Sequence, residues 1–289
     1  MPSSAATFRR HAGAIAGVAL LVFLVAAPVL WVAGYSLAYS LGGTGLLSDG
    51  WTLKNWTAAW GTGGLRASLL YSVVITATVT LLAGSGALGI VLLRPHLRRS
   101  AVILAALLLP LGTPSAVMAL MTSQVLSPGG FLARLCYHAG LIGSPTQFPA
   151  LVNDPWSVGM IVAQTSSALP LLTLFFLNAW SAAGADRYCR LAESLGAGRW
   201  QARCRVALPM LLRRGRPMIL LIFLLNLGSY EIPLLLGRQS PQMFSVLVQR
   251  SFGQFDLRQR PQAFVLASIY LLLIGVGVQC YLAWRRDRA

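Results

Sequence analysis

The sequence predicts an all-α membrane protein of six transmembrane helices. Three observations carry that prediction. Of 289 residues, 56% are hydrophobic and only 10% charged, against roughly 25% charged in an ordinary soluble domain, and the mean hydropathy is +0.68. The apolar residues gather in long runs at about 12–38, 67–93, 100–126, 157–180, 217–237 and 262–284. As helices rising about 1.5 Å per residue, each is long enough to cross roughly 30 Å of hydrocarbon. The basic residues, 22 Arg and the single Lys54, fall almost entirely between those runs, where they act as topology signals.

The runs differ in character. The first follows Arg9 and Arg10 and opens like a signal peptide, but it far outlasts an h-region of roughly 7 to 15 residues and is read as a retained first span. Residues 39–66 hold Gly42, Gly43, Gly45 and Gly50, then Trp51, Trp56 and Trp60 around "TLKNWTAAW", as expected for a short helix lying at the membrane interface. In the second run Gly84, Gly86 and Gly89 permit close helix contact. Pro110 and Pro114 withdraw two N–H donors from the third, so a kink is expected there. Residues 127–156, with Pro128, Gly129, Gly130, Pro145, Pro149 and Pro155, read as an irregular outer turn. The fifth run is interrupted by Glu231, just after Asn226, Gly228, Ser229 and Tyr230.

Six spans leave both termini on one face. The segments sharing that face carry sixteen basic residues, at 9, 10, 94, 98, 99, 187–216, 285, 286 and 288, while the opposite face carries the other seven: Lys54, Arg66, Arg134, Arg238, Arg250, Arg258 and Arg260. The positive-inside rule then places the N-terminus, the C-terminus and the 181–216 loop in the cytoplasm. The net charge of +16 is thus distributed by topology. A nucleic-acid binder is disfavoured, because its basic residues would be separated by spans.

Enzyme chemistry finds no footing. Cys136, Cys189, Cys204 and Cys280 are scattered without a CxxC pair, so neither a disulfide framework nor a zinc site is suggested, and no metal site is expected. His11, His96 and His138 are far apart, and there is neither a GxSxG elbow nor a GxxxxGK[ST] phosphate cradle. The chain is expected to be no enzyme, to hydrolyse no ATP and to bind no cofactor.

The most informative stretch is the loop "ADRYCRLAESLGAGRWQARCRVALPMLLRRGRP", residues 185–217. It is longer than a linker between spans needs, and its apolar positions keep helical spacing: Leu191 and Leu195, then Trp200, Cys204 and Leu208. Gly196 and Gly198 separate the two sets. A left-handed glycine would end the first helix and let a second leave at an angle, and Pro209 would close that second helix before the next span.

Within it, "LAESLGAGRWQARCRVALP" resembles the cytoplasmic signature of the permease subunits of binding-protein-dependent ABC importers. That pattern runs roughly EAA, three residues, Gly, nine residues, a β-branched aliphatic, one residue, Leu-Pro. Gly196, Val206, Leu208 and Pro209 match at that spacing, and "SLGA" matches around the glycine. Arg190, Leu191 and Ala192 stand where Glu, Ala and Ala would be, and Glu193 does not repair the register, so the family's glutamate has no counterpart at Arg190. The likeness runs over nearly the whole chain. "TLKNWTAAW" is similar to the family's short helix before the second span, "LPLGTPSAVMAL" and "SPGGFLARL" to its third span and following turn, and "GSYEIPLLLG" to its fifth span in the polyamine, iron(III), thiamine and aminophosphonate branch.

The resemblance implies a type I importer permease of a bacterial inner membrane, one transmembrane domain over residues 1–289 that forms half of a translocation path. It implies a short cytoplasmic coupling helix docking on an ATP-binding subunit that holds ATP and Mg. A second permease, identical or homologous, and an extracytoplasmic solute-binding protein complete the assembly in the lipid bilayer. ATPase coupling falls to Arg190, Leu191, Ala192, Leu195, Gly196 and Ala197 at the contact, with Val206, Leu208 and Pro209 fixing the exit. Arg187, Arg190, Arg199, Arg203 and Arg205 face either acids of the partner or lipid headgroups. For the translocation path the candidates are Asn226, Ser229, Tyr230 and Glu231, since an ionisable group inside a span is a functional candidate by default; an acidic patch suits a small charged solute such as a polyamine. The alternative is a secondary transporter, or another membrane transport subunit, without an ATPase partner.

Overall fold

The computed structural model describes the chain except residues 1–3, 46–49, 62, 96, 98–99, 256–259 and 287–289, and its described side chains further exclude 4–16, 18, 63, 280 and 284–286. The sequence assignments for Arg9, Arg10, His11, His96, Arg98, Arg99, Arg258, Cys280, Arg285, Arg286 and Arg288 therefore lie outside what is described. Thirteen α-helices follow one another among the described residues: α1 (Ser4–Ser40), α2 (Lys54–Gly61), α3 (Gly63–Leu93), α4 (Ala101–Leu108), α5 (Ser115–Leu126), α6 (Phe131–His138), α7 (Val158–Ala183), α8 (Ala185–Ser194), α9 (Arg199–Ala202), α10 (Leu208–Leu227), α11 (Glu231–Leu236), α12 (Phe244–Phe252) and α13 (Arg260–Arg286). No strand occurs among the described residues.

Among the described residues five stretches are long and apolar enough to cross a membrane: Ala19–Ser40, Gly64–Leu93, Ser115–His138, Val158–Ala183 and Arg260–Ala283. Four coincide with the first, second, fourth and sixth apolar runs. The third run, 100–126, is not one span. It breaks into α4, a 3-10 turn at Pro110–Gly112 and α5, because neither proline can donate an intrahelical bond and Pro114 holds an extended ψ of 146° as the residue before α5. The apolar stretch Ser115–His138 instead runs on into α6, so the outer turn expected over 127–156 is partly helical. The fifth run, 217–237, gives no uninterrupted span: α10 starts at Leu208, carries Arg213, Arg214 and Arg216, and stops at Leu227. The short helix foreseen in "TLKNWTAAW" is α2.

The chain divides into two compact units, Met1–Gly63 with Val248–Ala289, and Gly64–Leu247. In the first, α1 packs along α13. The Ser36 hydroxyl shares a hydrogen bond of 3.0 Å with Ser268, and Tyr39 stacks on Phe264 at 4.1 Å. Ser40 accepts the Trp56 indole N–H of α2 at 3.3 Å, so the tryptophan-rich segment is tied to the end of α1.

The second unit holds the candidate site. One face of α3, with Ala83, Ala87 and Val91 at intervals of four residues, packs with Leu172, Phe176 and Trp180 of α7 and Leu211 of α10 in one buried cluster, the spacing expected of an apolar stripe on a helix. Small residues set the approach: a Cβ on Gly86 would lie 2.9 Å from Leu169 Cδ1, and one on Gly215 would lie 2.4 Å from Phe176 Cε1. Gly84 and Gly89 face open space, so of the three glycines in the second apolar run only Gly86 serves close packing here.

Candidate functional site

Two features of the second unit collect the residues singled out in the sequence. The first is the 184–208 segment. Gly184, at φ 63°, ends α7 and starts α8 without a linker. The last turn of α8 closes as a Schellman motif. Gly196 N–H donates to Glu193 O at 3.0 Å and Ala197 N–H to Ala192 O at 3.0 Å, with Gly196 at φ +92°. Gly198 then opens α9: its N–H reaches the Gln201 side-chain carbonyl at 3.3 Å and its C=O accepts Ala202 N–H at 2.9 Å. Two glycines two residues apart thus turn a helix end into a helix start, with the N–H groups of Gly196, Ala197 and Gly198 all paired.

Burial sorts the candidate residues. Leu195 is 88% exposed, Trp200 57% and Leu191 53%, three large apolar side chains that the chain leaves mostly uncovered. Arg190, Gly196 and Pro209 are exposed, and Ala197 and Val206 are half-buried. Ala192 and Leu208 turn inward against the buried cluster. Cys189 is on the buried side of α8, and burial first, with Asp186 and Glu193 nearby, pushes its thiol above the usual value.

Pro209 does not close a helix. Residues 203–207 form a π-turn, in which Leu208 N–H donates to Arg203 O, and α9, the π-turn and α10 continue through the proline as one rod. Pro209 comes just after the π-turn, and a helix that runs on through a proline forgoes that residue's N–H donor. The same turn disrupts the i, i+4 set of Trp200, Cys204 and Leu208: Ala202 and Ala207, five apart, are the fully buried positions instead. Arg203 also departs from its sequence role. Its Nη1 donates to Leu92 O at 2.8 Å and to Leu93 O at 3.3 Å, so it faces the end of α3 rather than a partner or lipid.

The second feature is the gap between α10 and α11. Asn226, in the last turn of α10, folds its amide back on Ile222 O at 2.9 Å. Ser229 O accepts the Ser245 hydroxyl at 2.6 Å, which satisfies a carbonyl freed by the break. Glu231 opens α11, where a carboxylate favours the N-terminal dipole, and it accepts a hydrogen bond from the Ser115 hydroxyl at the start of α5. A cavity of about 500 Å³ lies against these groups, lined by Ser115, Ser167, Asn226, Ser229, Tyr230 and Glu231 with apolar neighbours. All four pathway candidates line it. Ser115 was not read from the sequence; its only signal was a serine directly after Pro114, a helix-start pattern. Among the described residues no group of three or more His, Cys, Asp or Glu could hold a metal ion.

No family model matches the chain. It is 26% identical over 212 residues, 73% of this chain and 89% of the relative, to the molybdenum transport system permease protein ModB of Azotobacter vinelandii. It is 26% identical over 166 residues, 56% of this chain and 55% of the relative, to the sulfate transport system permease protein CysT of Escherichia coli (strain K12). Among solved structures it is similar to a bacterial ABC transporter involved in the import of the acidic polysaccharide alginate, with a TM-score of 0.65, 14% identity and 94% of each chain covered. The alginate transporter in complex with its pentasaccharide-bound periplasmic protein gives a TM-score of 0.68, with 14% identity, 94% of this chain and 92% of that one. An all-helical chain with five membrane-length apolar stretches, superposing over nearly its whole length on an importer of this kind, has the fold of an ABC importer permease.

Proposed function

We propose that this chain is the membrane-spanning subunit of an ATP-driven importer, a single permease domain over 1–289 that works with a second permease, a cytoplasmic ATP-hydrolysing subunit and an extracytoplasmic solute-binding protein. The observation that carries the reading is the 185–202 hairpin: an apolar ridge of Leu191, Leu195 and Trp200, mostly exposed on two short helices whose turn is locked by backbone bonds. A large exposed apolar ridge on a rigid support marks a contact surface, and the arginine bias of 187–216 puts that surface in the cytoplasm. A rigid hairpin transmits a push from a docked ATPase; a flexible one would absorb it. The names of the relatives and the fold support the same assembly.

The cavity at the α10–α11 gap is the proposed solute path. Glu231 is the acid in its lining, and no basic side chain joins it among the described residues, which favours a solute presenting a cationic or hydrogen-bond-donating group, as a polyamine does, over a bare oxyanion. The test is to isolate the tagged chain from its native membrane, identify what co-purifies and measure ATP hydrolysis with and without Leu195→Asp, which sets a charge on the ridge. Recovery of an ATPase with the parent chain and its loss with the variant is expected. A parent chain that purifies without any ATPase would refute the assembly. Uptake of labelled spermidine, molybdate and sulfate by cells carrying the system, with Glu231→Gln alongside, tests the path.

A further inference from the structure

Helix α3 ends in carbonyls that no helical N–H can reach. Ile90 O is met by Arg94 N–H at 2.9 Å, and the carbonyls of the last two residues, Leu92 and Leu93, converge on one nitrogen of Arg203, more than a hundred residues away in sequence. A guanidinium on the C-terminal carbonyls also meets the negative end of the helix dipole. The backbone of the same residue opens the π-turn, its C=O accepting Leu208 N–H. Ala202 and Ala207 belong to the same buried cluster as Ala83, Ala87 and Val91 of α3, all of them small side chains. Small apolar side chains offer nothing directional, so they oppose separation more than sliding.

We infer that Arg203 is the strut through which the hairpin moves α3. A displacement of the hairpin reaches α10 along the covalent chain, because the rod runs unbroken from Arg199 to Leu227. It reaches α3 through packed side chains, on α7 and α10 as well as here, and among the described residues the directional connection from the hairpin segment is the pair of bonds from Arg203. Arg203 is a positioning residue: it lies outside the lining of the cavity, and it divides one input between two spans. This inference rests on the docking reading of the hairpin.

The experiment uses the whole transporter, purified with its ATPase and reconstituted in nanodiscs, and follows hydrogen exchange without nucleotide and trapped with ATP and vanadate. Two peptides are read: 185–202, which reports docking, and 80–93, which reports α3. In the parent, both should change protection on trapping. In Arg203→Gln, the 185–202 change and the ATP hydrolysis rate should persist within about twofold while the 80–93 change is lost, a loss of coupling between two sites that are each intact. Arg203→Lys, which keeps the charge and can reach one carbonyl, should restore part of it. An 80–93 response unchanged in Arg203→Gln overturns the inference. So does simultaneous loss of both responses, which would make Arg203 a folding or docking residue. A parent with no response at 185–202 overturns the docking reading itself, and the inference with it.

Discussion

Substituting Gly196 by asparagine, alanine and valine in turn should weaken docking of the ATPase in that order. The perturbation is a backbone one. A Cβ at Gly196 would meet nothing within 4 Å, so no clash contributes, whereas the φ of +92° is a conformation that costs an L-residue about 1 to 2 kcal/mol. Asparagine bears the least of this because its side chain bonds locally, and a β-branched valine the most. At about 1.4 kcal/mol per tenfold change, alanine should reduce the population of the closed turn relative to its open forms by roughly 5- to 30-fold. Where the closed turn is the docking form, the apparent Kd for the ATPase rises by up to the same factor. The assay is a titration of the purified ATPase subunit onto nanodisc-embedded variants. Valine binding as tightly as glycine would refute the backbone argument. Asparagine binding as weakly as valine would show that volume at the interface, and not φ, is what the position demands.

Three further outcomes are expected. Gly215→Ala drives a methyl toward the Phe176 ring, 2.4 Å from Cε1, and should cost about 1 to 3 kcal/mol by overpacking; thermal unfolding of the solubilised chain reads it, and Phe176→Leu should recover part of the loss. Asp154→Ala removes two backbone bonds, from Trp156 N–H at 3.0 Å and Val158 N–H at 2.9 Å, in a turn where Asn153 and Ser157 hold positive φ. The melting temperature should fall by an amount equivalent to about 2 to 4 kcal/mol, with Asp154→Asn in between. Cys189, raised above the ordinary 9.0 chiefly by burial, stays protonated in the fold where an unfolded thiol would ionise. Stability from that shift is complete below pH 9 and drains away as the pH climbs through the higher folded value. Alkylation by a neutral maleimide should therefore lag behind that of the denatured chain at pH 8, and equal rates would refute the assignment.

The elements that could be read from the sequence are those whose cause is local. Gly196 and Gly198 announce a turn because the residues around them keep helical spacing, and the turn is there with the expected positive φ at Gly196. The α2 helix follows from its own composition. What was missed depends on partners distant in the chain. Pro209 reads locally as a stop, but the π-turn before it and the Arg203 bonds to α3 carry the helix through. Pro110 and Pro114 foretold a bend, and the outcome is a full break because two missing donors lie only four residues apart. Glu231 was found as a lone acid in an apolar run, while its partner Ser115 lies more than a hundred residues earlier and carries no charge to betray it.

The π-turn also fixes a phase relation. An α-helix advances about 100° per residue, and the one surplus residue within 203–207 offsets the face presented by α9 from the face presented by α10 by that angle. Ala202 and Ala207, five residues apart, can both turn inward only with that offset in place. Deleting a single residue from 203–207 would leave a regular helix of good propensity and destroy the alignment: either the ridge keeps its direction and Gly215 swings away from Phe176, or Gly215 stays and the ridge points elsewhere. The chain therefore tolerates changes of side chain in this segment far better than a change of length by one.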